Sequence, residues 1–140
     1  MAIRFFCDQI AYKLKNQRLL KAWIKSAIEE EGFKLGEINV ILCNDEFLLE
    51  INQKFLQHDF YTDIITFDYS QDQTISGELY ISLERVIDNA IKNRENIDVE
   101  LYRIVIHGFM HLCGYKDKSD AEQIQMRNIE EKYLNKYYKK

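Results

Sequence analysis

The segment 98–115, DVELYRIVIHGFMHLCGY, restricts the possible folds more than any other part of the chain. It is long enough for several helical turns, carries no proline, and apart from Glu100, Arg103, His107 and His111 is built mostly of Val, Leu, Ile, Phe, Met, Tyr and Cys. A helix that is apolar around most of its circumference must be covered on more than one side, by a sheet and by further helices. Asp98 is the expected N-cap, and Gly114 the expected C′ residue, where φ > 0 is allowed. At about 100° per residue, Glu100, Arg103, His107 and His111 fall within a sector of roughly 80°. An unpaired buried polar group costs about 1–3 kcal/mol, so this polar line is expected to face a cleft, a partner or a metal.

The flanking sequence supplies the layers. IRFFC and EINVILCN read as strands, and the Leu20, Trp23, Ile24 and Ala27 spacing predicts a helix from about Gln17 to Glu31, stopped by Gly32. Asn44 or Asp45 can cap a helix through Phe47, Leu48, Ile51 and Phe55. TDIITFDY and ISGELYIS alternate and read as paired strands. A helix after Ser82 should bury Val86, Ile87, Ala90 and Ile91, and a last one from near Ser119 should turn Ile124, Ile129 and Leu134 inward. With no proline, linker or repeat in 140 residues, the expectation is one domain, 1–140. Its class is α+β: a mixed sheet of about four strands packed with about five helices, the metal site on a central helix.

The metal reading rests on spacing. Two imidazoles at i and i+4 project from one helix face about 6 Å apart along the axis and can share an ion. Gly114 can end the helix and let the chain bring Asp117 back as third ligand, with Asp120 as the less favoured alternative. Cys113, two residues past His111, falls on the far face and reads as core. The order His-x-x-x-His-x-x-Gly-x-x-Asp is the ligand frame of a metzincin protease, but the general-base glutamate is replaced by Gly108, so peptide hydrolysis is not expected. The formal net charge of −4 means that any nucleic acid must meet a local basic patch rather than the whole surface. The odd number of scattered cysteines (Cys7, Cys43, Cys113) fits buried thiols in a reducing compartment. No segment approaches the roughly 18 apolar residues of a membrane span and no secretory leader is evident, so the expected location is cytoplasmic.

HGFMHLCGYKD resembles the zinc motif of the YbeY family of endoribonucleases and rRNA maturation factors, His-Gly-x-x-His-Leu-x-Gly-Tyr-Asp-His. INQKFLQHDFYTDIITF and GELYI resemble two further blocks of that family, in the same order. The resemblance implies a zinc-dependent endoribonuclease, specific for single strands and using a zinc-activated water. It implies action in rRNA maturation, including 16S rRNA 3′-end processing, and in ribosome quality control. The implied partners are rRNA, the small ribosomal subunit and its assembly factors.

The chain departs from the family pattern twice. Asp117 replaces the third histidine, giving His107, His111 and Asp117 as metal ligands; one zinc per chain is the first choice, although iron, manganese or nickel also suit two histidines and a carboxylate. Leu56 replaces an arginine implied in phosphate contact and catalysis. The cationic candidates left are His58, Arg85 and Arg103, and Asp63 is the candidate acceptor orienting a ligand histidine. Phe67 and Tyr115 are candidate stacking aromatics. The alternative function is a ribosome-assembly factor with a structural metal and little or no catalysis.

Overall fold

The computed structural model describes residues 2–57 and 62–139. Its elements run β1 (Ala2–Cys7), α1 (Gln17–Glu30), β2 (Lys34–Cys43), α2 (Asp45–Leu56), β3 (Ile64–Asp68), β4 (Thr74–Ser82), α3 (Leu83–Lys92), α4 (Ile97–Leu112) and α5 (Asp120–Tyr138). The four strands form one sheet in the order β1-β2-β4-β3. β1 and β4 flank β2 in parallel, and β3 pairs antiparallel with β4, with Thr66 opposite Leu79. The expected α+β architecture of a mixed four-stranded sheet and five helices is thus what the chain adopts.

Strand alternation divides the molecule into two cores. Leu35, Ile38, Val40 and Leu42 of β2 with Ile75, Leu79 and Ile81 of β4 face α1 and α4, and α5 packs against α4 to complete the main core. On the opposite face, Cys43 and Ile65 pack with Leu48 and Ile51 of α2 in a smaller cluster. Eleven residues of α4 are buried, which satisfies the demand of an apolar circumference.

Local chemistry fixes the helix ends. The Asn44 side chain accepts from the Phe47 N–H at 2.8 Å, and Ser119 closes a reciprocal capping box with Glu122. At the end of α4, Gly114 has φ 104°, its N–H donates to His111 O at 3.0 Å and the Tyr115 N–H donates to Met110 O at 3.0 Å. This is the Schellman pattern that a left-handed glycine permits.

Some expectations need correction. The cap of α4 is Asn96, which accepts from the Asp98 N–H at 2.9 Å, and Asp98 lies inside the first turn; a carboxylate there is favoured by the positive end of the helix. Ile91 and Ile124 are 71% and 64% exposed. In α3 the buried face runs through Leu83, Val86 and Ala90, leaving Ile91 about 100° further round. In α5 it runs through Met126, Glu130, Tyr133 and Tyr137, the i, i+4, i+7, i+11 series, which turns Ile124 outward. Cys7 is exposed rather than buried, and all three thiols are free.

Candidate metal centre

His107 and His111 stand one turn apart at the C-terminal end of α4, and the Schellman turn at Gly114 reverses the chain so that Asp117 returns over them. Their ring nitrogens are differentiated by partners. His111 Nδ1 lies 3.0 Å from the Tyr115 backbone oxygen. A carbonyl oxygen can only accept, so that nitrogen carries the hydrogen. His107 Nδ1 lies 2.6 Å from Glu130 Oε2 and donates to that carboxylate. In each neutral ring the lone pair is therefore left on Nε2.

The two Nε2 atoms face each other at 3.0 Å, and Asp117 Oδ2 is 3.2 Å from the first and 3.3 Å from the second. With both rings neutral, three lone-pair atoms thus converge, an arrangement that a cation relieves. The spacing suits a small ion, because bonds of 2.0–2.1 Å in a tetrahedral site put neighbouring ligand atoms about 3.3 Å apart. His107, His111 and Asp117 are the one such cluster among the described residues. Asp120 lines the same groove as His107 and Asp117 but is not among the converging atoms.

The support behind His107 comes from α5. Glu130 is 5% exposed, and Arg103 Nη1 lies 3.8 Å from its other oxygen. Arg103 also pairs with Glu131 and lies 3.9 Å from Glu100. The polar line of α4 thus meets a matching acidic edge of α5 in its first half and opens to the cleft only at the histidines. Burial disfavours the charged His107 ring, but its hydrogen bond to Glu130 and the charges of Glu130, Asp117 and Asp63 outweigh it and raise its pKa above the ordinary value. Burial pushes the Asp63 carboxyl up, against the pull of His107.

The centre is shared by two depressions. A cleft of about 670 Å³ on the β3 side is lined by Leu56, Thr62, Asp63, Thr66, His111 and Lys118, along with His107 and Asp117. A groove of about 710 Å³ on the α5 side is lined by Asp120, Gln123, Ile124, Arg127 and Glu130, together with His107 and Asp117. Asp63 therefore lies in the cleft beside the histidines, while the carboxylate bonded to a ring nitrogen is that of Glu130.

The other sequence-derived candidates are dispersed. Arg85 holds both oxygens of Asp45 at 3.1 Å and pairs with Asp88, where α2 and α3 begin. Arg103 is enclosed by acids and lines neither depression. His58 lies outside the described residues. Phe67 packs edge-on to Phe55 and Tyr80, each 5.9 Å away. The Tyr115 hydroxyl donates to Glu31 at 2.7 Å.

Glu130 and Arg127 were not singled out from sequence. The signal for Glu130 was present: in an otherwise apolar i, i+4, i+7, i+11 series, one carboxylate had to meet a polar partner, and α4 offered that line.

The Endoribonuclease YbeY family model matches residues 4–138. An endoribonuclease YbeY of Flavobacterium psychrophilum is 45% identical over 135 residues, 96% of each chain. One of Parabacteroides distasonis is 43% identical, covering 96% of this chain and 94% of the relative. Among solved structures, the solution structure of TM1509 from Thermotoga maritima superposes with a TM-score of 0.67 at 28% identity, covering 98% of this chain and 89% of that one.

Proposed function

The chain belongs to the Endoribonuclease YbeY family, and from that membership we propose that it cleaves RNA at a centre made of His107, His111 and Asp117. The proposal extends to single-stranded rRNA as substrate, in small-subunit maturation that includes 16S rRNA 3′-end processing and ribosome quality control. It places the protein in the cytoplasm, working with ribosomal particles and assembly factors, and no helix among the described residues is long and apolar enough to cross a membrane.

The observation that carries this reading is the convergence of three lone-pair atoms at 3.0–3.3 Å, each imidazole oriented by an acceptor on its other nitrogen. The donor set fits zinc, with one ion per chain. When bound, such an ion supplies Lewis-acid chemistry, acidifying a water and neutralising charge that grows on a phosphoryl oxygen.

The chain's own groups do the rest. Glu130 and the Tyr115 carbonyl fix the ring orientations, as carboxylates and carbonyls behind ligand histidines do elsewhere. Asp117 contributes one negative charge and so moderates the electrophilicity of the centre. Because the centre lies on the rim between cleft and groove, a flexible strand can bend across it, which suits an unpaired RNA better than a stiff duplex.

The test is metal content by plasma mass spectrometry on protein purified without chelator, beside cleavage of single-stranded and duplex RNA. About one zinc per chain and single-strand cleavage, both lost in His111→Ala, are expected. Undiminished cleavage in His111→Ala would overturn the centre as the site. The assembly-factor reading draws support from Leu56, which puts an apolar side chain in the β3-side cleft. A large gain of cleavage in Leu56→Arg would speak for an attenuated enzyme, and no gain for a binding role or another catalytic cation.

A further inference from the structure

The groove on the α5 side contains a cation that the metal centre does not use. Arg127 is exposed, and among the described residues it makes no hydrogen bond or ion pair, its charge reaching the buried Glu100 carboxyl only through space. Arg85 and Arg103, by contrast, are occupied by carboxylates. The position of Arg127 is fixed by its neighbours on α5. Met126 is buried in the main core, and Glu130, three residues on, is bonded to His107. Three residues are about 4.5 Å of helix rise, so the Arg127 backbone stands less than one turn from the residue that holds a ligand histidine.

Gln123, Ile124 and Arg127 share one stripe of the helix and line the groove with His107 and Asp117. The acids facing this groove are Asp117 and Glu130, both engaged at the centre, and Asp120, seven residues from Arg127 and about 10 Å away along the axis. At Arg127 the groove therefore offers a planar, permanently charged fork, a neutral amide and an apolar ledge, a combination suited to a phosphodiester and its adjoining base.

We propose that Arg127, with Gln123 beside it, holds a backbone phosphate of the RNA strand on the α5 side of the scissile bond. This rests on the reading of the centre as a ribonuclease site. The strand then crosses from the β3-side cleft over the metal centre and is gripped where it leaves along α5. Arg127 contributes mainly to binding, so its removal raises KM and leaves kcat nearly unchanged.

The experiment is fluorescence anisotropy of a short single-stranded RNA with nuclease-resistant phosphorothioate linkages, titrated with protein over a range of KCl. Steady-state cleavage of the unmodified RNA is measured alongside. Arg127→Gln is expected to bind about tenfold more weakly at low salt, as loss of one charge-assisted contact predicts. The slope of log affinity against log salt should become shallower by about 0.7, the value for one single-strand phosphate contact. Arg127→Lys should restore the slope, and Arg18→Gln, which removes the same charge at the start of α1, should change neither quantity.

Equal affinity and slope in wild type and Arg127→Gln, with wild type cleaving RNA, would overturn the role of Arg127 and leave the ribonuclease reading standing. A weaker Arg127→Gln whose slope is unchanged and whose thermal midpoint has dropped would also overturn it, as a purely structural effect. Wild type that neither binds nor cleaves would overturn both readings together.

Discussion

Gly108 occupies the position where a zinc peptidase carries its general base, and its surroundings explain why no side chain stands there. A Cβ built on Gly108 would lie 2.2 Å from Leu79 Cδ2 and 2.8 Å from Ile64 Cδ1. Leu79 is fully buried and has little room to yield. The glycine is what lets α4 approach β3 and β4 closely enough to hold the histidines over the cleft. Gly108→Ala is expected to cost about 1 kcal/mol in urea denaturation, overpacking of about 1–3 kcal/mol being partly offset by the better helix propensity of alanine. Gly108→Glu should cost more and confer no peptidase activity, because its carboxylate would enter the apolar core. A second residue-scale expectation concerns Glu130. Glu130→Ala should weaken zinc binding about 10- to 100-fold, measured by competition with a chromophoric chelator, because the His107 ring loses the acceptor that orients it.

Helix α5 is tied to α1 by a polar strap. Trp23 Nε1 donates to Tyr133 O at 2.7 Å, Tyr133 bonds to Glu31, Lys132 Nζ lies 2.7 Å from Glu30, and Lys136 pairs with Glu30 as well. Hydrogen bonds to Lys132 and Lys136, with their charges, pull the Glu30 carboxyl down to about 2 from 4.5. A carboxylate depressed on folding contributes stability that is present above its unfolded pKa and lost as pH falls through the folded one. The strap at Glu30 should therefore weaken between about pH 4.5 and pH 2. The group is partly exposed, so solvent screening holds the effect below about 1 kcal/mol. Glu30→Gln should lower the thermal midpoint slightly at pH 7 and match wild type near pH 2.

Elements of this kind were the most legible part of the sequence. The helices and strands follow from hydrophobic period, with caps at Asn44, Ser82 and Ser119 marking three helix starts, and the turn at Gly114 follows from the backbone freedom of glycine. The faces of α3 and α5 were less legible, because Ile91 and Ile124 are as apolar as their buried neighbours and only the packed partner decides which are covered. The order β1-β2-β4-β3 depends on pairings between strands distant in sequence, which local patterns do not encode. In the centre, the two histidines and Asp117 could be read from spacing on one helix and its turn. Glu130 left a signal as the one carboxylate in an apolar series, but its partner, and the place of Arg127 in the neighbouring groove, follow only from the tertiary packing of α5 against α4.

At the scale of the whole molecule, the centre joins two helices and the loop between them. The histidines belong to α4, Asp117 to the following loop, and Glu130 to α5. An ion that binds the two histidines and Asp117 only when they are assembled must stabilise the fold by mass action. Zinc added to metal-free protein at about 100 times its dissociation constant should contribute about 2.7 kcal/mol, seen as a raised denaturation midpoint. His111→Ala should show no such rise, and an equal rise in both proteins would place the ion elsewhere.

The lateness of α5 has a consequence for biosynthesis. A chain made from its N-terminus completes β1 through α4, with the whole sheet, before α5 exists. At about 5–20 residues per second, α5 follows α4 by seconds. During that interval the His107 ring lacks its carboxylate and the Arg103 guanidinium lacks two of its acids. In a growing chain both histidines therefore precede the carboxylate that orients His107, and the pair takes its final geometry only when α5 packs against α4.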